Sequence, residues 1–427
     1  MFDIFKIAVR NLSRYRRRTI LTFILIVIGM VAVLLFVSVT GSFKSMMVGQ
    51  ITDSVLGHLE VHRKGYVASI DNLPLNLNLK PQAMTKVESA LHQIAAVQTW
   101  SPRVKFGGMY SNFVETTAIR INGVDPEREA ATVPLLPSRI SEGRKDGALV
   151  AKGEILIPAL LARGMKSKVG DTVVLVATNR DGSVNGKTFV VRGVIESISG
   201  PGGRDGYIHI DDAREMLRMK EAEVSEIAIR LKDPAQLDRT EARLKQALEG
   251  EANNDGKPKQ EGTPNKDGKP MLEVHTWADL SPFANLARMI DLMTVFIKVV
   301  LVSIVLVSVM NVMVMAVYER IREIGTIAAI GTPPGRILSL FLSEGLLLGL
   351  IGTAIGTLVS LAIIFALNIW KVHFAFGQQQ DLVLAPQIGA VQVLTIALMV
   401  VGVAVIASLQ PAWKASRLDP INALRHV

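Results

Sequence analysis

Thr19-Ile-Leu-Thr-Phe-Ile-Leu-Ile-Val-Ile-Gly-Met-Val-Ala-Val-Leu-Leu-Phe-Val-Ser-Val39 is a run of 21 residues without a charge. A helix rises 1.5 Å per residue, so this run reaches ~31 Å, the thickness of a bilayer's hydrocarbon core. Lys6, Arg10, Arg14, Arg16, Arg17 and Arg18 precede it. A cleaved secretory signal has the same basic lead, but its apolar core is only ~7–15 residues long. The length of the run and the poor small-x-small site at Ser38-Val39-Thr40 predict an uncleaved membrane anchor.

Three further apolar runs lie far downstream, about Leu292 to Val317, Ile337 to Leu367 and Ile388 to Leu409. Basic residues flank the first run on its amino side (Arg16 to Arg18), lie between the second and third (Arg320, Arg322, Arg336) and follow the fourth (Lys414, Arg417, Arg425). The loop between the third and fourth runs carries Lys371 balanced by Asp381. The positive-inside rule gives these flanks one consistent solution. It predicts a cytoplasmic amino-terminal segment (1–18), a first span (19–40), an outer domain (41–290) and a second span (291–317). A cytoplasmic segment (318–336), a third span (337–367), a short outer loop (368–387), a fourth span (388–410) and a cytoplasmic tail (411–427) follow. The expected class is therefore a membrane α-helical protein, its four transmembrane helices in a 1+3 arrangement, with a large α/β domain outside.

The 427 residues are 49% hydrophobic and 20% charged, carry a net charge of +9 and contain no cysteine; the mean hydropathy is +0.34. Wholly disordered, collagen-like and disulfide-stapled chains are excluded, as are thiolate metal sites and thiol nucleophiles. Residues 40–291 are nearly neutral, since the positive charge sits beside the spans. Nucleic acid is not an expected partner, because phosphate binding needs clustered, uncompensated charge.

The outer segment mixes strand and helix periods. Strands are predicted around 58–62, 118–124, 173–177 and 189–194, and helices over 80–96, 211–219 (with an Asp211 N-cap) and 236–248. Glu251 to Pro270 reads as an Asn/Gly/Lys/Pro-rich insertion. Gly182-Ser-Val-Asn-Gly-Lys-Thr188 resembles a phosphate loop but is one residue short and sits between two strands, whereas a phosphate loop must open a helix. It reads as a hairpin turn. His58, Glu60 and His62 would share one face of a strand. With no third convergent ligand in view, a solvated strand face is expected and no metal site.

Inside the spans, Glu344 and Lys298 are candidates for a substrate or coupling role, because buried charge in a bilayer is costly; snorkelling to the interface is the alternative. Gly345, Gly349, Gly352 and Gly356 form two small-xxx-small pairs, suited to close helix packing within the chain or to a dimer contact. Between the second and third spans, Tyr318-Glu-Arg-Ile-Arg-Glu-Ile-Gly-Thr-Ile-Ala-Ala-Ile-Gly331 carries an apolar stripe at Ile321, Ile324, Ile327 and Ala328, and Gly331-Thr332-Pro333-Pro334 ends it. A short amphipathic helix there either lies on the lipid or docks in a groove on a soluble partner.

Glu319-Arg320-Ile321-Arg322-Glu323-Ile324-Gly325 resembles the coupling segment of the MacB/FtsX-type permease superfamily. Ala8-Val9-Arg10-Asn11-Leu12 with Arg16 to Thr22 is similar to its amino-terminal signature, and Gln410 to Pro420 with Ala423-Leu424-Arg425 to its carboxy-terminal one. Lys168 to Val173 resembles a turn-strand of the family's periplasmic core, and Gly57 to His62 is similar to the lipoprotein-releasing branch. The resemblance implies a non-catalytic permease subunit of an ABC transporter in the bacterial inner membrane, with an outer domain of two lobes. It implies a second permease copy or paralogue as partner, and a cytoplasmic ATP-binding subunit that holds ATP and Mg while this chain binds no cofactor. Glu319, Arg320, Arg322, Glu323 and Gly325 would dock that subunit. ATP-driven release of a lipoprotein or other lipid-linked substrate is the leading expectation, with a periplasmic chaperone receiving it. Export through an adaptor and an outer-membrane channel, regulation of a cell-wall hydrolase, and ligand sensing by the outer domain are the alternatives. The drug-efflux member's fused ATPase domain does not occur in this sequence, and an outer domain of about 250 residues exceeds the typical cell-division member's.

Overall fold

The computed structural model describes residues 7, 8, 10, 11, 14, 16–144, 147–197, 204–249, 272–376 and 379–420. The chain divides into two compact units, Met1–Met46 with Arg288–Val427, and Met47–Ala287. The insertion expected at 251–270 lies outside the described residues.

The first helix, α1 (Arg16–Ile51), passes through a π-helical turn (Thr52–Leu56) into the second unit. There the chain forms β1 (Leu59–Arg63), α2 (Pro81–Gln93), β2 (Val97–Ser111), β3 (Thr116–Val124), α3 (Pro126–Thr132), β4 (Ile140–Gly143), β5 (Glu154–Pro158), α4 (Ala159–Gly164), β6 (Thr172–Thr178), β7 (Val184–Ile195), β8 (Gly206–His209), α5 (Ile210–Met216), β9 (Glu226–Leu231), α6 (Leu237–Glu249), β10 (Leu272–Thr276) and α7 (Trp277–Leu280). The strands pair in the order β10-β1-β9-β2-β3-β8-β5-β7-β4, with β6 joined to β2 and β7. β3–β8 and β5–β7 are parallel; the other pairs are antiparallel. The two ends of the segment thus supply β10, β1 and β9, and its middle supplies β8, β5, β7 and β4.

Period-2 alternation builds the core of this unit. Leu59 and Val61, Val104 and Phe106, and Ile227 and Ile229 turn into one apolar cluster with Val87 and Leu91 of α2. β6 and β7 form a hairpin whose turn is closed by Asn179 N donating to Ser183 O at 2.7 Å. Gly182 holds φ +83° there, where a side chain would be strained. No helix follows the turn, so the 182–188 run cannot present helix N–H groups to a phosphate. The cap of α5 differs from expectation: His209, not Asp211, takes the N-cap position, and its Nδ1 accepts from Asp211 N at 3.2 Å.

The π-helical turn before β1 is firmly seated within this unit. Asp53 Oδ1 accepts from Arg230 Nη1 at 2.6 Å, Asp53 O accepts from Leu135 N at 2.8 Å, and Ser54 O accepts from Arg139 Nη1 at 3.2 Å. Ile51, Val55 and Leu56 pack with Trp277, Leu280 and Phe283 beside them.

The other unit is helical: α8 (Phe283–Glu319), α9 (Ile321–Ala329), α10 (Pro334–Trp370) and α11 (Ala390–Ser416), with a β11 (Val372–Phe376) and β12 (Gln379–Leu384) hairpin between the last two. Among the described residues, four helices, α1 included, are long and apolar enough to cross a membrane. They outrun the apolar runs. Spans of 19–40 and 291–317 were expected, whereas α1 has 36 residues and α8 has 37. The backbone ladder of a helix is indifferent to side-chain polarity, so it continues where charges resume, and there Lys44 Nζ meets Asp291 at 2.6 Å.

Ile26, Met30 and Leu34 of α1 form the core of this unit with Val305, Val309, Phe341, Val400 and Ala404. The glycine stripe of α10 is used inside the chain. A Cβ at Gly349 would stand 2.9 Å from Ala404 Cβ, and one at Gly345 would be 2.6 Å from Ser408 Cβ. At Gly352 and Gly356 it would be 2.7 Å from Ile26 Cγ2 and from Met30 Cβ. All four are buried against α1 and α11, because glycine lets helix backbones approach closely in lipid.

Candidate functional site

α8 ends in a corner. Arg320 leaves the helical region (φ −110°, ψ 16°), and α9 restarts at Ile321. Gly331 (φ +94°) and Pro333-Pro334 then stop it and open α10. Ile324 and Gly325 of α9 are buried and Ile321 and Ala328 half-buried. Positions 321, 324, 325 and 328 follow i, i+3, i+4 and i+7, the stripe that one helical face buries. Ile327 was placed on that stripe by its sequence spacing, but it is exposed. It shares the outward face with Glu323 and Ile330, which lie i−4 and i+3 from it. Ile330 is 81% exposed.

The expected docking residues separate into two groups. Glu319, Arg322 and Glu323 are exposed, and Glu323 is 3.5 Å from Arg14. Arg320 and Gly325 are buried and do not offer a docking surface. Arg320 Nη1 instead donates to Glu344 Oε1 at 2.9 Å. Asn11 Nδ2 donates to the same oxygen at 2.8 Å, and Asn11 O accepts from Arg320 Nη2 at 3.5 Å. Two residues singled out for separate reasons thus form one pair. Glu344 is 4% exposed and does not snorkel. Lys298 is half-buried on α8 and stands outside this network.

A second cluster lies in the sheet. Glu60 and His62 of β1, Arg103 and Lys105 of β2, Glu226 of β9 and Glu129 of α3 are all buried. Lys105 Nζ is 2.7 Å and Arg103 Nη1 3.1 Å from Glu226 Oε1; Arg103 Nη2 is 2.8 Å from Glu129 Oε1 and Nη1 is 3.4 Å from Glu60 Oε1. His62 Nε2 lies 3.4 Å from Oε2 of both Glu60 and Glu226, and Tyr66 stacks on its ring at 5.2 Å. Burial disfavours the imidazolium, but hydrogen bonds to Glu226 and Glu60 and the charges of both outweigh it and raise the His62 pKa to about 9. Burial likewise pushes Glu226 up, and Lys105, His62 and Arg103 overcome it, holding this carboxyl well below its ordinary range. With His62 protonated, three cations face three carboxylates.

The solvated face expected for His58, Glu60 and His62 is therefore corrected. β1 is an inner strand between β10 and β9, and all three side chains are buried. His58 leaves the cluster: its Nδ1 accepts from Leu231 N at 3.1 Å. Glu226 supplies the third ligand the sequence did not show, and one atom each from Glu60, His62 and Glu226 come within 4.8 Å of one another. A metal ion there would have to displace the His62 proton and share its carboxylates with Lys105 and Arg103, so the charge balance favours an ion-pair network. Arg103, Lys105, Glu129 and Glu226 were missed from sequence. Arg103 and Lys105 alternate with Val104 and Phe106 on β2, a period-2 signal; Glu226 and Glu129 carry no such local signal.

Residues 19–247 match the MacB-like periplasmic core domain, and residues 295–420 the FtsX-like permease C-terminal domain. The lipoprotein-releasing system transmembrane protein LolC of Neisseria meningitidis serogroup B is 23% identical over 441 residues, covering 98% of each chain. The macrolide export ATP-binding/permease protein MacB of Neisseria gonorrhoeae is 38% identical over 109 residues, 26% of this chain and 15% of that protein. The periplasmic region of MacB from Actinobacillus actinomycetemcomitans, a crystal structure, matches at 11% identity with a TM-score of 0.35, covering 55% of this chain and 92% of that one.

Proposed function

The chain belongs to the MacB/FtsX family of ABC transporter permeases, and on that premise we propose that it converts ATP hydrolysis by a separate subunit into movement of its α/β domain, releasing a lipoprotein or another lipid-linked substrate from the inner membrane. Family members work with ABC ATP-binding subunits, and the permease itself is not the catalytic part. The observation that carries the coupling role is the outward face of α9, where Glu323, Ile327 and Ile330 stand exposed between two candidate spans. A short helix with an apolar anchor and charged neighbours fits a groove on a soluble partner. The likeness to LolC along both whole chains supports the lipoprotein reading. On this reading α9 faces the cytoplasm, and a second permease copy or paralogue completes the complex.

Purification of the tagged chain from its native membrane in mild detergent tests the coupling: an ATP-binding subunit should co-purify. Photo-crosslinking from the α/β domain then tests the substrate. Capture of lipoproteins and a soluble carrier supports release, whereas capture of a periplasmic adaptor or a cell-wall hydrolase refutes it.

A further inference from the structure

The helix corner at Arg320 poses a mechanical question. Ile324 of α9 packs in one cluster with Met313 and Val317 of α8, but the two helices are separate, and their backbones are joined through one non-helical residue. The side chain of that residue, however, runs to a different helix. Arg320 pairs with Glu344, ten residues into α10, and both side chains are buried. Asn11 bonds both partners, through its amide to Glu344 and its carbonyl to Arg320, and it lies five residues before α1. Further along, α10 packs on α1 at Gly352 and Gly356. α1 and α8 are the two helices that lead into and out of the α/β domain.

We propose that Arg320, Glu344 and Asn11 form a pin through which movement of α9 is delivered to α10 and α1 as well as to α8. This rests on the coupling role proposed above and names the positioning residues that carry it. A charged pair suits a pin because neither partner can leave the other without remaining charged in an apolar surround. The two connections to the domain then move together when α9 is pushed.

The absence of cysteine makes the test direct. Leu292→Cys on α8 and Leu358→Cys on α10, at sites 72% and 68% exposed, take spin labels in the full chain, reconstituted with its ATP-binding subunit in lipid nanodiscs. In the otherwise unaltered chain, ATP should shift the separation of the labels. With Glu344→Gln, the subunit should still bind and hydrolyse ATP, but the shift should be lost; the swap Arg320→Glu with Glu344→Arg should restore it. Glu344→Asp keeps the charge but shortens the reach, and should shrink the shift even if the glutamine variant fails to insert. A full shift in either single variant overturns the pin, as does failure of a well-inserted swap to restore it. If no ATP-binding subunit joins the unaltered chain, or its hydrolysis moves no label, the coupling role itself falls, and the pin with it.

Discussion

His62 and Glu226 lie on neighbouring antiparallel strands, Nε2 to Oε2 at 3.4 Å, and both are wholly buried. Their charges depend on each other, and the stability of the α/β domain must follow. A histidine whose pKa is raised from an ordinary 6.5 to about 9 contributes stability that is complete below pH 6.5 and lost as pH rises through 9. At 1.36 kcal/mol per unit the loss is about 3 kcal/mol. Glu226, held low, acts at the other end: its contribution is present above the ordinary carboxylate range and lost as pH falls through its depressed value. Thermal unfolding of the full chain in detergent, followed by Trp fluorescence, should show the midpoint falling between pH 6.5 and 9. Glu226→Gln should lower stability by about 3–5 kcal/mol at pH 7 by removing the carboxylate that Lys105, Arg103 and His62 share, and should weaken the dependence on alkaline pH.

Divalent zinc tests the same cluster from another side. Binding at Glu60, His62 and Glu226 must first remove a proton from His62, so saturating zinc at pH 7 should leave the unfolding midpoint unshifted. A stabilised midpoint that disappears in His62→Gln would identify a metal site instead.

The packing of α10 predicts a sharp contrast among glycines. Gly356→Ala places a methyl 2.7 Å from Met30 Cβ and should cost about 1–3 kcal/mol by overpacking. Gly402→Ala on α11 meets nothing within 4 Å and should be neutral or slightly stabilising, through the better helix propensity of alanine. Thermal midpoints in one detergent compare them.

On the outward face of α9, Glu323→Arg and Ile330→Asp should each weaken retention of the ATP-binding subunit by about tenfold or more, the range of an interface hot spot. Membrane insertion should be unchanged. Titration of the reconstituted complex reads the affinity, and retention at the unaltered level would remove this face from the interface.

The four long helices were legible because twenty apolar residues in a row admit few readings, and the β6–β7 hairpin because its glycine turn is local. The corner segment was legible as an amphipathic helix, yet one of the four positions of its inward face was misassigned: spacing alone put Ile327 where Gly325 lies. The two charge networks were not legible. Arg103 and Glu226 reach Glu60 and His62, and Glu129 reaches Arg103, from distant stretches of the chain, and Glu344 lies 24 residues from Arg320. Read along the sequence, each is a lone charge that belongs in solvent or at a lipid interface. Only the pairing of β1 with β9, and the turn of the chain back from α8 to α10, supplies the opposite charge that makes burial affordable.

α1 and α8 contain no proline. A helix changes length only by giving up its own hydrogen bonds, and over ~54 Å of α1 that would mean surrendering many at once. On the proposed coupling each helix would serve as a pushrod and not as a spring, since it stretches or shortens only by losing its own hydrogen bonds.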